Sequence, residues 1–282
     1  MVIADRIEVL TGRRPVRTTP LSGGCVSEVY RIDFPDGARL VAKTGRADSG
    51  LAVEGAMLRY LGAQSDLPVP EVIHAEDSLL LMSWIDGGGG ITAAAERHAA
   101  DLLAALHGIK GDAFGHETDT LVGGLHQPNP KTASWIDFFR EQRLLYIGHE
   151  AVKARRLPPR TMARLEDLCW RLDEWITEPD HPSLIHGDMW GGNVLVKGDH
   201  IAGFIDPAVY YADPEIELAF STLFSTFGDA FFARYNEHRP LAPGFFEERR
   251  DLYNLYPLLV HVRLFGHSYV TSVERILSKF GF

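Results

Sequence analysis

The stretch His186–Asn193, with the sequence HGDMWGGN, and the later Asp206 together decide the fold. Between Asn193 and Asp206 the chain has two short apolar segments joined by the residues KGDH, a pattern that predicts an antiparallel hairpin. Because the second strand of such a hairpin runs back to the start of the first, we expect Asn193 and Asp206 to lie side by side. Asp188 should lie just outside this pair. The two strands are predicted at 194–196 and 201–205.

This group of oxygen-bearing side chains suits Mg²⁺, a hard cation that is usually held by few protein ligands together with substrate phosphates. The same spacing occurs in the catalytic loop of protein kinases, where the aspartate accepts the proton of the substrate hydroxyl and the asparagine holds metal. We therefore predict Asp188 as the catalytic base, and Asn193 and Asp206 as metal ligands, of an ATP-dependent kinase. Aspartate and asparagine also favour turns. The preceding His-Gly pair, the hairpin and Asp206 favour the catalytic interpretation over a turn alone.

A glycine pair near the N-terminus predicts a phosphate-binding loop. Gly23 and Gly24 lie between two predicted strands, and their freedom of backbone conformation would let N–H groups approach phosphate oxygens. A hairpin with a Gly-Gly turn would have the same pattern. Cys25 follows directly. The N–H groups that attract phosphate would also favour its thiolate, which is the form that is oxidised, so Cys25 could make the enzyme sensitive to oxidation. The alternative is that Cys25 is simply a small residue tolerated beside the nucleotide.

A lysine and a glutamate are predicted to pair beside this loop. Lys43 ends the segment Val41-Ala42-Lys43, which resembles the kinase strand whose lysine meets the α- and β-phosphates. Glu54 shares the apolar stripe of a helix predicted over 49–61, so it should face inward and need Lys43 as its partner. A surface lysine and a half-exposed glutamate are the alternative. Met82 and Trp84, at the end of an apolar strand predicted over 79–82, complete the predicted nucleotide-binding residues.

The predicted elements divide the chain into a β-rich part and a helical part. Residues 21–44 predict β structure, and the four glycines of Gly87–Gly90 cannot lie inside an element, so they mark a boundary. The expected fold class is α+β, a two-lobed protein-kinase-like fold with a small β-rich N-lobe (1–85) for nucleotide and a larger, mainly helical C-lobe (86–282) for catalysis and substrate. The helices of the C-lobe are predicted at 96–107, 133–147, 160–176, 215–232 and 245–277.

Composition excludes several classes of protein. The 282 residues carry a formal net charge of −10, which argues against nucleic acid or an anionic membrane surface as a partner. No apolar run approaches the ~20 residues that span a bilayer, and charged residues come too early for a secretory signal. The only cysteines, Cys25 and Cys169, rule out a disulfide framework and suit a reducing cytoplasm. We expect a cytoplasmic monomer or weak dimer.

From Leu21 to Leu277 the sequence resembles the fructosamine kinase (ketosamine-3-kinase) family, a branch of the aminoglycoside-phosphotransferase-like kinases. Other small-molecule kinases of this fold share only the pattern of Asp188, Asn193 and Asp206. They often have histidine where Trp190 stands, so Trp190 makes the resemblance more specific. The motifs that carry it are 23–27 (GGCVS), 127–129 (QPN) with Trp135, 186–193, 205–208 (IDPA) with 210–211 (YY), and 252–269 with His261 and Phe265-Gly266.

The resemblance implies phosphorylation, with ATP and Mg²⁺, of the O3 hydroxyl of ketosamines, which form when sugars react with amines, including protein lysines. The phosphorylated adduct then decomposes and frees the amine, so the implied role is deglycation. Trp190 and His261 are the expected substrate contacts. Glu217 stands where an aspartate is more usual, and the residues after the paired tyrosines, Ala212 and Asp213, also depart from the family pattern. These departures leave the preferred sugar open.

Two other functions have to be weighed against a ketosamine kinase. One is a kinase of the same fold that acts on another alcohol, such as an aminoglycoside, an amino alcohol or a free sugar. Trp190 and the aromatic C-terminal pattern favour the ketosamine. The other is a pseudokinase that serves as a binding module. Pseudokinases generally lose the base, the metal ligand or the phosphate lysine, and this chain retains all of these.

Several residues also have simple structural interpretations. Trp190 could pack behind the catalytic loop, and His261 could be a hydrogen-bonded core residue. His107 ends a predicted helix and is expected to cap it rather than to bind a ligand. Gln127 and Asn129 lie in a predicted loop and are expected to form turns. Cys169 is expected to be buried as a small hydrophobic residue.

Overall fold

The N-terminal part of the chain is an antiparallel sheet between two helices. The computed structural model describes residues 3–21 and 27–282. Five strands pair in the order β1-β2-β3-β5-β4, with α1 on one face of the sheet and α2 on the other. The elements are α1 (Ile3–Thr11), β1 (Arg17–Leu21), β2 (Glu28–Asp33), β3 (Arg39–Thr44), α2 (Leu51–Gln64), β4 (Val72–Glu76) and β5 (Leu79–Ser83).

Strand β5 explains how this sheet is held. Successive side chains of a strand point to opposite faces. Leu79 and Leu81 accordingly join the apolar cluster under α1, and Leu80 and Met82 join the cluster under α2. Because both faces are covered, the sequence is an unbroken apolar run, as predicted for a fully buried strand.

The rest of the chain is mainly helical and surrounds one large apolar core. Helix α9 packs against α5, α7 and α10, while α3 packs against α8. Three two-stranded ribbons, β6-β7, β8-β11 and β9-β10, interrupt the helices. The elements are α3 (Ala93–Leu106), β6 (Thr120–Val122), β7 (Leu125–Gln127), α4 (Trp135–Phe138), α5 (Tyr146–Lys153), α6 (Pro159–Cys169), β8 (Ser183–Ile185), β9 (Val194–Lys197), β10 (His200–Phe204), β11 (Tyr210–Ala212), α7 (Glu215–Leu223), α8 (Asp229–His238), α9 (Arg250–Phe265) and α10 (Val270–Lys279).

The helix predicted over 160–176 ends at Cys169 and is followed by a 3₁₀ turn at Leu172–Glu174. Three other predicted helices have a different internal structure. The helix predicted over 215–232 is two helices, because Ser225 has a φ of 53° in the left-handed region, which ends the right-handed turn of α7. The helix predicted over 133–147 contains the π-helical turn Phe139–Leu145 between α4 and α5. The segment predicted as helix over 245–277 begins with a second π-helical turn, Phe245–Arg249, and is broken after α9 at Gly266, whose φ is 91°.

Short elements escaped prediction, and some residues lie outside the described part of the chain. Helix α1, strand β4 and the three-residue strands were not predicted, and the three-residue strands are too short to show a period. Of the β structure predicted over 21–44, the described residues contain β2, which begins at Glu28, and β3, while β1 ends at Leu21. No helix in residues 3–21 or 27–282 has the length and apolar character needed to cross a membrane.

Candidate active site

The segment from His186 to Asn193 connects β8 to β9, and its backbone is fixed from behind. Gly187 has a φ of 87°, and a Cβ atom there would lie 2.1 Å from the carbonyl oxygen of Ala208, so only glycine fits. Nε2 of the buried His186 donates to the carbonyl of Ile205 over 3.1 Å, which leaves Nδ1 to accept from the N–H of Asp188 at 3.3 Å. Burial lowers the pKa of His186, so the ring is neutral.

Asp188 and Asn193 are joined by hydrogen bonds. The side-chain amide of Asn193 donates to the backbone oxygen and to Oδ2 of Asp188, each over 2.9 Å. Burial, with the negative charges of Asp206 and Glu217, raises the pKa of Asp188 to about 7 against the opposing hydrogen bond from Asn193. A carboxyl with this pKa can exchange a proton near neutral pH, which is a property of a general base.

The hairpin β9-β10 brings Asp206 to the same place. The N–H of Ile205 donates to the carbonyl of Asn193 over 3.0 Å, which confirms the predicted pairing of the hairpin ends. Asp206 has a φ of 55°, an uncommon backbone conformation for a residue with a side chain. Its side chain is 40% exposed and receives a hydrogen bond from Lys43. Strained backbone of this kind is concentrated at functional sites.

Lys43 lies between two carboxylates. Its Nζ is 2.7 Å from Oε1 of Glu54 and also contacts Oδ1 of Asp206. The ion pair expected between Lys43 and Glu54 is therefore present. Burial alone would lower the pKa of Lys43, but the charges of Glu54 and Asp206 outweigh it and raise the pKa, so the lysine stays charged. The trio connects β3, α2 and the end of the hairpin.

The remaining residues predicted to bind nucleotide differ in their surroundings. Met82 pairs with Val41 across the sheet, and both share the face of the sheet that carries Lys43. The Met82 side chain is buried in the cluster under α2. Trp84 follows β5 and is half-buried, and its indole N–H donates to Asp86 over 2.7 Å. The predicted phosphate loop, Gly23, Gly24 and Cys25, lies outside the described residues.

The two predicted substrate contacts, Trp190 and His261, lie near Asp188. Trp190 is 40% exposed, so it does not pack behind the loop. Its ring covers Gly192, where a Cβ atom would lie 2.3 Å from an indole carbon. His261, on α9, lines a small cavity of about 20 Å³ together with Gly187 and Asp188. The structure thus places His261 on the cavity at Asp188 and Trp190 two residues further along the same loop.

Sequence reasoning missed a buried chain of polar groups that holds the catalytic loop. Glu217, on α7, accepts a hydrogen bond from the N–H of Gly187 over 2.6 Å. Its other oxygen is 2.8 Å from Nε2 of His107, whose Nδ1 is 2.8 Å from the hydroxyl of Tyr235. Burial would raise the pKa of Glu217, but the hydrogen bonds from His107 and from the Gly187 N–H lower it, so the carboxylate is ionised.

His107 does occupy the C-cap position of α3, as predicted, but its side chain serves this chain of polar groups rather than the helix end. The signal in the sequence was the unusual glutamate at position 217. An acidic side chain on a buried helix face requires a partner from elsewhere in the fold. Sequence spacing could not identify that partner, because His107 is 110 residues away.

A second buried network corrects the interpretation of Gln127 and Asn129 as turn residues. Gln127 ends β7, and its amide donates to the carbonyl of Ala208 over 3.1 Å and accepts from Tyr256 over 2.6 Å. Asn129 accepts from the fully buried Arg143 over 2.6 Å. Arg143 sits 3.9 Å from the ring centre of Tyr210. Since Tyr210 and Tyr256 line the cavity beside Asp188, this network forms the back wall of the site.

Cys169 is fully buried in the core, as predicted, and burial raises the pKa of its thiol.

Comparisons with known proteins agree with this geometry. The sequence model of the fructosamine kinase family matches residues 2–280. A probable ketoamine kinase of Synechocystis sp. is 35% identical over 98% of this chain and 95% of its own length. A chloroplastic protein-ribulosamine 3-kinase of Oryza sativa subsp. indica is 31% identical over 96% of this chain and 82% of its own length.

Solved structures show the same fold. A candidate fructosamine-3-kinase of Thermobifida fusca superposes with a TM-score of 0.88 at 33% identity, covering 99% of both chains. An aminoglycoside phosphotransferase in complex with ADP and hygromycin B has a TM-score of 0.71 at 16% identity over the full length of both chains, a likeness of fold alone. The predicted two-lobed protein-kinase-like fold is confirmed. The chain belongs to the fructosamine kinase family and is an ATP-using phosphotransferase with a hydroxyl group as acceptor.

Proposed function

We propose that this enzyme phosphorylates the O3 hydroxyl of ketosamines, either small molecules or glycated protein lysines, and thereby initiates deglycation. The observation that carries the proposal is the position of Asp188. Its carboxyl is close enough to Asp206, the partner of Lys43, to feel that charge, and the N–H of Trp190 donates to the Asp188 carbonyl over 3.1 Å. The names of the relatives, ketoamine kinase and ribulosamine 3-kinase, support the ketosamine as acceptor and O3 as the position.

The residues at the hairpin ends fit a divalent cation. The Asn193 amide nitrogen is committed to Asp188, so its Oδ1 faces away from that bond, and no hydrogen bond to this oxygen is present within the described chain. Asp206 uses Oδ1 for Lys43, which leaves Oδ2 for a metal. Hard oxygen donors of this kind suit Mg²⁺. Bound there, Mg²⁺ would neutralise charge on the phosphates of ATP.

The chain's own side chains then account for the transfer. Lys43, fixed by Glu54, would bind phosphate oxygens through its ammonium group. Asp188 would accept the proton of the acceptor hydroxyl and hold its oxygen in line with the γ-phosphorus. Glu217 fixes the N–H of Gly187, and through it the position of Asp188. Because little covalent chemistry falls to the protein, positioning supplies most of the rate enhancement.

Trp190 and His261 would contact the acceptor. Burial lowers the pKa of His261, and its Nδ1 donates to the carbonyl of Pro257 over 2.7 Å, so the ring is neutral and its Nε2 is an acceptor. A neutral acceptor suits a sugar hydroxyl or the cationic amine of a ketosamine. The aromatic face of Trp190 suits either the carbon skeleton of a sugar or a cation.

An assay of ATP consumption against a panel of acceptors tests this proposal. Ribulosyl-lysine and fructosyl-lysine should be phosphorylated, whereas aminoglycosides, choline-like alcohols and free hexoses should not. Activity on one of these controls, with none on either ketosamine, would assign the enzyme to another alcohol.

A further inference from the structure

A continuous row of aromatic side chains leads away from Asp188 across the surface. We call it the aromatic trough and define it as Trp190, Phe224, His261, Phe265 and Tyr269. The ring of Phe224 lies 6.4 Å from Trp190 and 5.0 Å from His261, measured between ring centres. His261 is 5.5 Å from Phe265 and 4.9 Å from Tyr269. Each ring therefore touches the next, and together they form one surface.

This surface is open to solvent. Trp190 and Phe224 are each 40% exposed, and Phe265 is 48% exposed. Burial in the core does not account for these rings, because large parts of them remain in contact with water. Contiguous exposed aromatic surface on a protein usually marks a binding site.

The trough is continuous with the candidate acceptor site. Trp190 lies two residues after Asp188 on the same loop, and His261 lines the cavity at Asp188. The inner wall of that cavity is closed by residues such as Ile185, Ile216 and Val260, and its volume of about 20 Å³ holds no more than a water molecule. A substituent on an acceptor that reacts at Asp188 therefore has to leave across the outer side, where the trough lies.

The chemistry of the trough favours an apolar occupant. None of its five side chains carries a carboxylate, an ammonium or a guanidinium group, and His261 is neutral. An anionic group placed there would lose hydrogen bonds to water and would find no cationic partner among the five side chains. An aryl or alkyl group would bury apolar surface against the rings and gain ring-to-ring contacts.

We propose that the aromatic trough binds the substituent on the amine nitrogen of the acceptor, and that the enzyme prefers ketosamines of aromatic or large apolar amines. This inference rests on the proposed ketosamine kinase activity. In a ketosamine the amine nitrogen is only a few bonds from O3, so an O3 hydroxyl at Asp188 places the nitrogen substituent within reach of Trp190 and Phe224. The polyol end of the sugar would point away from the rings.

A matched pair of acceptors tests the proposal. The kcat/KM of the wild-type enzyme is measured for the N-benzyl and the N-methyl ketosamine of the same sugar. The N-benzyl compound should be preferred by about 10-fold, mainly through KM, the value expected for one partly buried ring. The variants Phe224→Ala and Phe265→Ala should each reduce this ratio. The control is Phe246→Ala, because Phe246 is also 40% exposed but packs against Phe232 and Phe245.

The outcomes separate this inference from the function on which it rests. Equal kcat/KM for the two ketosamines in the wild type would overturn the role of the trough and leave the kinase activity standing. A preference that survives unchanged in both Phe224→Ala and Phe265→Ala would also overturn it, since the benzyl group would then bind elsewhere. Failure to phosphorylate either compound, with turnover of another alcohol, would remove both proposals. Melting temperatures of all variants check that each is folded.

Discussion

The two sides of Asp188 differ in how they are built. On the side of the sheet, Lys43 is buried between Glu54 and Asp206, so the site is charged and its groups come from distant parts of the chain. On the side of α9, Trp190 and His261 belong to a partly exposed aromatic row without a formal charge.

This difference indicates how the two sides can vary. A buried lysine with two carboxylates tolerates little change, because removal of one member leaves an unpaired charge. An exposed aromatic surface can exchange one ring for another at small cost to stability. We infer that the charged side serves the chemistry common to such kinases, and the aromatic side selects the acceptor.

The largest effect is expected from Asp188→Asn. Loss of the base should lower kcat by about 10²–10⁴-fold and leave MgATP affinity close to the wild-type value. Steady-state kinetics and calorimetry measure the two quantities. Asp173→Asn, a change at an exposed aspartate, is the control and should have wild-type activity. Near wild-type turnover of Asp188→Asn would remove this residue from the catalytic role.

Lys43→Met should weaken the binding of MgATP. The apolar substitute keeps much of the side-chain volume but leaves Glu54 and Asp206 without their cation, so MgATP affinity should fall by about 10-fold or more. Glu54→Ala should have a smaller effect, because the lysine keeps Asp206. Calorimetric titration with MgATP measures both. Unchanged affinity and turnover in Lys43→Met would show that this strand does not bind the phosphates.

Glu217 acts on the loop that joins the two sides. Glu217→Ala removes the acceptor for the Gly187 N–H and should lower kcat by about 10-fold with little change in either KM, because Asp188 loses its fixed position. Glu217→Gln should retain most activity. Its amide oxygen can still accept from Gly187, and its nitrogen can donate to the other tautomer of His107. An equal loss of kcat in both variants would show that the hydrogen bond from Gly187 to the side-chain oxygen is not what positions the loop.

The smallest effect, on the acceptor side alone, is expected from Trp190→Ala. This substitution should raise the acceptor KM by several-fold, because one aromatic contact with the acceptor is lost. The KM for ATP should be unchanged. The comparison with Lys43→Met therefore separates acceptor from nucleotide binding. An equal rise in both KM values would contradict the division between the two sides.

The sequence predicted those parts of the site that depend on local spacing. The hairpin put Asn193 beside Asp206, and the helical stripe pointed Glu54 toward Lys43, because strand pairing and the helical period fix these geometries. It could not predict the chain from Tyr235 through His107 to Glu217, nor the row from Trp190 to Phe265. These contacts join helices α3, α7, α8 and α9, whose packing has no local signal.

Sequence reasoning also failed where the backbone departs from regular geometry. The break between α7 and α8 depends on the left-handed conformation of Ser225, which the apolar period of the segment does not reveal. The π-helical turn that contains Arg143 cannot be distinguished from an ordinary α-helix by the spacing of its apolar residues. Arg143 could not be recognised as buried, since arginine is seldom buried without a carboxylate partner.

The position of the transferred phosphate shows directly whether the enzyme phosphorylates O3 of a ketosamine. Fructosyl-lysine and MgATP are incubated with the wild-type enzyme, and the product is examined by ³¹P–¹H correlation NMR. The phosphorus should couple to the proton on C3 of the sugar, and Asp188→Asn should give almost no product under the same conditions. Phosphate on a different hydroxyl, or an equal yield from Asp188→Asn, would contradict it.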